Sequence, residues 1–370
     1  MKVSVVFLGS TGAGPVYSFE FARALANRKD CELQVIISKD CLNIDTWRTC
    51  FKDSNIEYHE IETYRKTPFC VALSFVQIWK TSKLVHLVKK FNPDYTFFPF
   101  GLVWSPIIFP QISSFSKIVS VIHDPHLHDE IRNPFKKYLS NLRERSNRYI
   151  DLIVILNKND KEYMKEKFGK PVGVIPHASF CYYKGRLDDI HNKKINRKIG
   201  FFGRIEPYKG LDILVDAVNY VNLDIELLIA GKGFIDEVIM SKIKSNKNIT
   251  LLNRYIDDDE FQQLLDQVDF VVLPYKRASQ SGVIPMAFAF GKTVVATKVG
   301  ALEEQVPLGT GVLCNPTCND VAESIAYFYN NPELIFKYGK NAKEYAEKEL
   351  SWEHSAELLL GFLEERNSIC

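Results

Sequence analysis

Short apolar runs alternate with amphipathic stretches along the first half of the chain. The runs are rich in β-branched and aromatic residues, which is typical of strands covered by helices on both faces. They predict strands at Lys2–Leu8, Leu33–Ile37, Tyr95–Phe98, Lys117–Ile122 and Leu152–Leu156. Apolar residues at helical spacing predict helices between them, at Val16–Leu25 and Val71–Phe91. This alternation predicts a parallel, doubly wound sheet.

The same pattern begins again after the polar, lysine-rich stretch Cys181–Asn196, which we interpret as a hinge. An acidic run predicts one helix start with Asp259 as its N-cap. The other predicted elements are strands at Lys198–Gly203, Ile225–Ala230, Ile249–Leu252, Phe270–Leu273, Thr293–Ala296 and Thr310–Leu313, and helices at Gly210–Tyr220 and Val283–Phe290. We therefore expect an α/β protein of two doubly wound, Rossmann-like domains facing a cleft. The first would span residues 1–185 and the second 186–351, with a C-terminal helix over 352–370 packing back on the first.

Composition agrees with this picture and excludes several classes of protein. A length of 370 residues fits two domains, and 46% hydrophobic with 25% charged residues excludes a disordered or collagen-like chain. A net charge of +2 gives no overall attraction to nucleic acid. No apolar stretch reaches the ~18 residues of a membrane span, and the first apolar run is too short for a signal peptide. We expect a cytoplasmic protein, at most peripheral to the inner face of a membrane.

Eight cysteines are spread along the chain without any C-x-x-C pair. Cys314 and Cys318 are the closest two, and no histidine or further cysteine lies near enough in sequence to complete a zinc set. We therefore expect free thiols in a reducing compartment, and no metal site from the cysteines.

The loop from Gly203 to Gly210 follows a predicted strand and opens a predicted helix. Its glycines let backbone approach a ligand, and the helix start adds positive potential. Arg204 can fork onto phosphate oxygens, and Lys209 can add a point charge. The loop contains neither a Walker motif nor G-x-G-x-x-G. It predicts an anion site, with two solvated surface cations as the alternative.

A second loop of this kind runs from Ala278 to Pro285, ahead of another predicted helix. Small residues and a glycine at a helix start offer backbone N–H groups to phosphate or to sugar hydroxyls. The loop residues concerned are Ser279, Gln280, Ser281, Gly282 and Val283. Two anion-competent loops at the carboxyl edge of one parallel sheet favour recognition of a nucleoside diphosphate.

Four ordered blocks now make a resemblance specific: GFFGRIEPYKGLDILVDAV, ELLIAGKG, DFVVLPY and SGVIPMAFAFGKTVVATKVGALEEQV. Together they resemble the donor-binding half of glycosyltransferase group 1, the retaining glycosyltransferase family 4, which has the GT-B fold. The first half is similar less distinctly, through its N-terminal glycine loop and the segments VSVIHD and VIPHASF.

The resemblance implies transfer of a sugar from a nucleotide-sugar to an acceptor hydroxyl, with retention and without an obligatory metal or other cofactor. It assigns Arg204 and Lys209 to the leaving diphosphate, where fixed cations would stabilise developing charge. It places His123 near the donor sugar, and lets the backbone at Gly12 and Gly14 approach the donor phosphate. For these two glycines, relief of backbone strain is the alternative. The base would be held near Arg254, Tyr255 and Ile256.

One departure from the family pattern concerns a pair of glutamates that usually contact the donor sugar and the ribose. The matching positions are Ala278 and Met286, and no glutamate lies between Phe261 and Leu302. The run Ser279–Gly282 could replace the first contact. Glu303 or Glu304 could approach the ribose.

Two features of the first half have competing interpretations. His123, His126 and His128 with two aspartates suggest a metal site, but the spacing matches no ligand geometry, so contact with a sugar or acceptor by His123 is favoured. The stretch from Ile131 to Arg148 holds six basic residues and one glutamate. It predicts either a packed helix with a solvated face or a surface for anionic lipid headgroups and a lipid-linked acceptor. The residues of that surface would be Arg132, Lys136, Lys137 and Arg143.

The function expected is therefore a retaining glycosyltransferase of surface polysaccharide synthesis, such as O-antigen or capsule, acting on a glycan or lipid-linked glycan. A sugar-phosphate synthase or phosphorylase of the same fold is one alternative. A catalytically silent nucleotide-sugar-binding or scaffold subunit is the other, since the paired glutamates are missing.

Overall fold

The structure is a computed structural model that describes residues 1–63, 78–126, 134–179 and 194–368. The chain divides into two compact units. The first unit consists of Met1–Pro176 together with the segment from Trp352 onward, and the second is His177–Ser351. Each unit is built on its own parallel sheet.

The first unit has a seven-stranded parallel sheet in the order β3-β2-β1-β4-β5-β6-β7. Its strands are β1 (Lys2–Phe7), β2 (Glu32–Ser38), β3 (Glu57–Ile61), β4 (Tyr95–Phe98), β5 (Lys117–Val121), β6 (Leu152–Ile155) and β7 (Val172–Val174). Its helices are α1 (Gly14–Ala26), α2 (Ile44–Phe51), α3 (Ile78–Phe91), α4 (Ser105–Ile112), α5 (Pro134–Ser146) and α6 (Lys161–Phe168). The central strands are buried along their length because helices cover both faces.

The second unit repeats the plan with a six-stranded parallel sheet in the order β10-β9-β8-β11-β12-β13. Its strands are β8 (Lys198–Phe202), β9 (Glu226–Ala230), β10 (Ile249–Leu252), β11 (Phe270–Leu273), β12 (Val294–Thr297) and β13 (Gly311–Cys314). Its helices are α7 (Leu211–Tyr220), α8 (Glu237–Ser245), α9 (Asp258–Gln267), α10 (Val283–Ala289), α11 (Leu302–Gln305), α12 (Cys318–Asn330) and α13 (Pro332–Glu349). The two faces of this sheet carry separate apolar clusters, one around Phe201 and Phe270 and one around Phe202 and Phe288.

Both sheets reverse their strand order at one point, between β1 and β4 in the first unit and between β8 and β11 in the second. Ligands of doubly wound sheets bind beyond the carboxyl ends of the strands at such a switch point. The loops that leave β8 and β11 therefore mark the place to look for a site in the second unit. The loops that leave β1, β4 and β5 mark the equivalent place in the first.

The sequence pattern missed two strands, and it was wrong about one helix cap. Strands β3 and β7 lie at the two edges of the first sheet, where the half-exposed run Glu57–Ile61 and a three-residue strand have no continuous apolar signature. The N-cap of α9 is Asp257 rather than Asp259. The Asp257 carboxylate accepts a hydrogen bond from the Glu260 backbone N–H at 2.9 Å, the usual contact between an N-cap side chain and the third residue of a helix.

The boundary between the units falls at Pro176 and His177, earlier than the boundary expected after residue 185, which lies outside the described residues. The stretch after Pro176 joins the second unit because its backbone is bonded there: the Ser179 N–H donates to the Leu350 carbonyl at 2.9 Å. The C-terminal helix α14 (Trp352–Ser368) belongs to the first unit. Its Trp352 ring meets Tyr17 of α1 edge-on, with the ring centroids 5.0 Å apart. None of the helices described is both long and apolar enough to traverse a bilayer.

Candidate functional site

The loop after β8 is shaped by two glycines in the left-handed region, Gly203 with φ 101° and Gly210 with φ 67°. A side chain at Gly210 would overlap the carbonyl oxygen of Pro274, in the loop that leaves β11. The two loops that flank the switch point therefore touch through backbone atoms, which only glycine permits here. A single 3₁₀ turn, Pro207–Lys209, carries the chain between the glycines and positions the Lys209 side chain.

Lys209 is held by the loop after β11. Its Nζ donates to the hydroxyl of Tyr275 at 3.0 Å and lies 4.9 Å from the centre of that ring. The Tyr275 side chain is buried, with 2% of its surface exposed, and its hydroxyl lies 3.3 Å from Ser281 Oγ. A Cβ atom at Gly203 would lie 3.2 Å from Lys209 Nζ. The structure thus brings together Gly203, Lys209 and Ser281 of the predicted site.

Ser281 is fixed from the other side by the short helix α11. The Ser281 backbone N–H donates to Gln305 Oε1 at 2.8 Å, and Gln305 Nε2 donates to the Ser281 carbonyl at 3.1 Å. Ser281 Oγ in turn accepts from the Val283 N–H at 3.3 Å, at the start of α10. Both backbone groups of Ser281 are therefore satisfied by one amide side chain, and the loop has a single defined conformation at this position.

Arg204 follows Gly203 directly and has an exposed side chain. Within the ranges that the structure describes, its guanidinium makes neither a hydrogen bond nor an ion pair with another residue. In the loop after β11, by contrast, Lys276 is paired with Asp212 at 2.6 Å. Arg204 is therefore a cation whose five donors are available to an anion, beside an ammonium that is already oriented.

A third loop, after β9, packs against the Arg204 segment. The Ile205 N–H donates to the Lys232 carbonyl at 3.0 Å, and the Asn253 amide bonds both the N–H and the carbonyl of Gly233, at 3.0 and 3.1 Å. Asn253 precedes the three residues predicted to hold a base. It ties their loop to the rest of the site through Gly233.

Of those three residues, the structure places each differently. The Arg254 guanidinium forms an ion pair with Glu260, which raises the pKa of the arginine and lowers the pKa of the carboxyl. Tyr255 is 73% exposed. Ile256 packs against the apolar cluster around Phe288. The Arg254 side chain is thus engaged by the protein itself, and the loop offers a ligand its backbone and the Tyr255 ring.

The remaining residues of the loop after β11 are half-buried: Ser279, Gln280, Gly282 and Val283. Beside them lies His177 of the segment VIPHASF, which was not among the predicted site residues. Its Cε1 and Nε2 atoms lie 3.8 Å from the place of a Cβ at Gly282, and its Nδ1 is 2.9 Å from the Ala178 carbonyl oxygen. Burial lowers the pKa of His177, so its ring is held neutral against the loop.

Three of the site's residues were missed, and each had a weak signal. Tyr275 stands immediately after the Phe270–Leu273 strand and Pro274, at the carboxyl end where ligands bind. Gln305 lies in the last of the four blocks and His177 in the segment VIPHASF, but nothing in either segment singles out these two side chains. The two glutamates considered for the ribose lie on α11, where Glu303 is exposed and Glu304 helps, after burial and Glu349, to raise the pKa of Tyr345.

The first unit presents the glycine loop after β1. Gly12 has φ 83°, is exposed, and has open space where a side chain would stand. Gly14 is different, because a Cβ there would lie 3.1 Å from the Phe7 ring and 3.4 Å from the Phe100 ring. Gly12 is thus the glycine at which backbone is open to a ligand, and Gly14 allows α1 to start against two aromatic rings.

His123 follows β5 and is half-buried between aromatic rings. Its ring centroid is 4.1 Å from that of Phe100 and 4.6 Å from that of Tyr17, and its Nε2 lies 2.9 Å from the Pro99 carbonyl oxygen. These contacts fix the ring at the carboxyl edge of the sheet, next to the loop that leaves β4. Ring packing and this backbone contact therefore orient the imidazole.

The nearby His126 is engaged elsewhere. Its Nε2 lies 2.8 Å from an Asp160 carboxylate oxygen, and its ring stacks on Tyr163 at 4.8 Å. His128 and the second aspartate of the motif fall outside the described residues. In the portions of the chain that the structure describes, no group of three His, Cys, Asp or Glu side chains is arranged to hold a metal ion.

The basic stretch of the first unit is described in part. Arg132 lies outside the described residues, and Lys136 and Lys137 lie on α5, with the placement of their side chains left undescribed. Arg143 is exposed, and its guanidinium lies over Gly101, where any side chain would overlap it. Helix α5 is fastened to α4 by a 2.8 Å hydrogen bond from Ser146 Oγ to Ser105 Oγ. The helix is thus packed against α4 through Ser146, and it carries the exposed Arg143 one turn earlier.

Comparison with known proteins assigns the second unit. Residues 196–331 match the family model of glycosyl transferases group 1. An uncharacterized glycosyltransferase of Methanocaldococcus jannaschii is 32% identical over 209 residues, which cover 55% of this chain and 56% of that protein. The chain thus spans about half the length of the curated relatives it matches. The resemblance read from the four sequence blocks is confirmed, and the second unit contains a group 1 glycosyltransferase domain.

Solved structures show the same fold over the whole chain. Sucrose-phosphate synthase of Thermosynechococcus elongatus superposes with a TM-score of 0.72 at 15% identity, covering 99% of this chain and 100% of that one. The Anabaena protein HepE, solved with UDP, has a TM-score of 0.72 at 18% identity, covering 99% and 100%. HepE has also been solved with UDP-glucose. The predicted GT-B class of fold is confirmed.

Proposed function

We propose that this chain, whose second unit is a group 1 glycosyltransferase domain, transfers a sugar from a nucleotide-sugar to an acceptor hydroxyl. The observation that carries the proposal is the pair of cations after β8. Lys209 is oriented by Tyr275, and Arg204 is exposed and unengaged within the described chain. Departure of a nucleoside diphosphate builds negative charge, and fixed cations at that point stabilise it. HepE, a structural neighbour, has been solved with UDP-glucose, which supports a donor of this class.

The parts of the site have distinct roles in this proposal. Arg204 and Lys209 hold the diphosphate, and the Gly282 backbone supplies a further N–H donor, because the N–H groups of Ser281 and Val283 are already bonded within the protein. In the first unit, the exposed Gly12 backbone offers an N–H group to a phosphate. Tyr255 and its loop receive the base. His123 contacts the sugar or the acceptor hydroxyl, where an imidazole can accept a proton near neutral pH. Two side-chain cations provide the charge that a metal supplies in other transferases, so we propose that no metal is obligatory.

The finer assignments rest on the family resemblance and on the basic stretch of the first unit. We propose retention at the anomeric carbon and a lipid-linked glycan acceptor in surface polysaccharide synthesis. Helix α5, with Lys136, Lys137 and Arg143, would meet the anionic headgroups at the inner face of the membrane. If charge reversal of these three residues leaves the binding of phosphatidylglycerol-containing vesicles unchanged, the membrane contact is wrong.

The test of the activity is release of nucleoside diphosphate from a panel of UDP- and GDP-sugars, with and without a membrane extract as the source of acceptor. Wild-type protein should release it, and Arg204→Ala should slow release by about a hundredfold or more. Lys276→Ala is the matched control, because Lys276 is already paired with Asp212 and should keep near-normal rates. Chelation of divalent ions should leave the rate unchanged, and the product's anomeric configuration should match that of the donor.

A catalytically silent binding subunit remains the second candidate, because Ala278 and Met286 stand where the family usually has glutamates. It predicts saturable binding of a nucleotide-sugar without release of the diphosphate from any member of the panel. That outcome would overturn the transferase proposal and keep the donor site.

A further inference from the structure

The loop after β11 lacks the carboxylates of its family, yet it is the most tightly bonded part of the site. We propose that Tyr275 and Gln305 are positioning residues, which hold the Lys209 ammonium at the diphosphate through Ser281. This inference rests on the proposed function and adds to it roles for two residues of the matching blocks to which the resemblance assigned none. Together with Ser281 and Lys209, these residues form a continuous hydrogen-bonded path from α11 to the loop after β8.

The path begins at Gln305, whose amide pairs with the backbone of Ser281 in both directions, at 2.8 and 3.1 Å. Gln305 is the last residue of α11. The first residue of this helix, Leu302, is fully buried, which anchors the helix that carries the amide. The amide offers both the acceptor and the donor that this arrangement needs, whereas an ionised carboxylate offers acceptors alone. A glutamate of the same shape would place a carboxylate oxygen against the Ser281 carbonyl oxygen.

The second step runs from Ser281 to Tyr275. Their hydroxyl oxygens are 3.3 Å apart, and Ser281 Oγ already accepts from the Val283 N–H. The Tyr275 hydroxyl receives the Lys209 donor, so its own hydrogen is free to point at Ser281. The Tyr275 backbone is fixed as well, because Thr297 Oγ1 donates to its carbonyl at 2.6 Å. Both ends of this tyrosine are therefore held.

The third step concerns Lys209 itself, which is flexible and would otherwise sample many rotamers. A hydrogen bond at 3.0 Å to a buried hydroxyl restricts its Nζ to one place, beside Gly203 and within the loop that carries Arg204. Electrostatic catalysis depends on charges that are in position before the reaction. Tyr275 and Gln305 should therefore affect the rate of transfer more than the binding of the nucleotide.

The primary test is Tyr275→Phe, which removes the hydroxyl and keeps the ring. We expect kcat for release of UDP from UDP-glucose, or from whichever donor of the panel is turned over, to fall about tenfold. KM for the donor, and Kd for UDP measured by calorimetry, should stay within about twofold. Tyr208→Phe is the matched control, because the ring of Tyr208 lies beside Tyr275 without its hydroxyl joining the path. An unchanged kcat in Tyr275→Phe overturns the proposal.

A double-mutant cycle separates positioning from mere support of the fold. If Tyr275 acts through Lys209, Tyr275→Phe should cost nothing further when Lys209 is already alanine. Losses that simply multiply would contradict the path. This outcome differs from failure of the proposed function, in which Lys209→Ala alone would leave turnover near normal.

Gln305 provides the independent variant. Gln305→Glu should lower kcat about tenfold, because the new carboxylate would repel the Ser281 carbonyl oxygen. Lowering the pH should restore part of the rate, because the protonated carboxyl can again donate a hydrogen bond. Gln263→Glu on the exposed face of α9 is the control, and should show neither effect. Absence of both the loss and its reversal at Gln305 would remove this residue from the path.

Discussion

The two units share one architecture, but they prepare their switch points in different ways. In the second unit, hydrogen bonds join two loops and the short helix α11: Lys209 to Tyr275, Tyr275 to Ser281, and Ser281 to Gln305. In the first unit, His123 is placed by the rings of Tyr17 and Phe100 and by one backbone contact. The second unit thus uses a polar network of hydrogen bonds, and the first unit holds His123 by packing against aromatic rings.

This difference follows from what each site has to do in the proposed reaction. A diphosphate needs fixed cations and N–H groups, which must themselves be held by polar partners. An acceptor site needs shape and one polar group, which packing can place. We therefore expect single substitutions to have large effects in the second unit and smaller ones in the first.

The largest effect should come from Lys209. Lys209→Ala removes the oriented ammonium, and turnover should fall by about a hundred- to a thousandfold, measured as release of nucleoside diphosphate. Lys209→Arg restores charge and should recover part of the rate. A loss no greater than that of the control Lys276→Ala, whose ammonium is paired with Asp212, would show that the polar network serves the fold alone.

The second-largest effect should come from a glycine in the second unit, and it can be compared with a glycine in the first. Gly210 and Gly12 both have positive φ, but a Cβ at Gly210 meets the Pro274 carbonyl and one at Gly12 meets nothing. Gly210→Ala should lower the free energy of unfolding of the second unit by about 2–4 kcal/mol, from left-handed strain and overlap together. Gly12→Ala should cost the first unit only about 1 kcal/mol.

Hydrogen exchange in β8 and in β1 under mild denaturant measures the two units separately. Equal costs at the two glycines would mean that the contact between the loops after β8 and β11 contributes nothing to stability.

The same contrast explains which features the sequence predicted. The four blocks of the second unit and its six strands were found because buried parallel strands are continuous apolar runs and because glycine and cations stand next to each other in the chain. Gln305 and His177 lie in segments that carry the resemblance, but their contacts with Ser281 and Gly282 are not indicated by any spacing along the chain. The edge strand β3 was missed because its outer face is polar. The N-cap of α9 was predicted at Asp259 instead of Asp257 because several neighbouring acidic residues could serve as the cap.

Less of the site in the first unit could be predicted from the sequence, because aromatic packing follows no fixed spacing along the chain. The contact between Tyr17 and Trp352 joins residues far apart in the chain, and nothing in either segment indicates the partner. His123 was found from its position at the end of a strand, whereas the rings that hold it were not.

A smaller effect is expected at His123. His123→Asn removes the imidazole from its place between Tyr17 and Phe100, and turnover should fall about tenfold, the value of one hydrogen bond to a polar reacting group. His126→Asn is the control, since His126 is engaged by Asp160 and Tyr163. If both variants lose activity equally, the segment contributes as a whole. The packing of His123 between Tyr17 and Phe100 would then give this residue no special role.

The smallest effect tests the polar network through pH. Burial lowers the pKa of His177 in the folded chain below its ordinary value of about 6.5. As pH falls below that value, the unfolded chain binds a proton that the folded chain resists, so stability is lost with a slope of at most about 1.4 kcal/mol per pH unit. His177→Gln should remove this part of the loss, seen as a smaller shift of the denaturation midpoint between about pH 7.5 and about pH 5.5. If His177→Gln keeps the full shift of the wild type, the neutral ring is not what braces the loop at Gly282, and the polar network ends at Gln305.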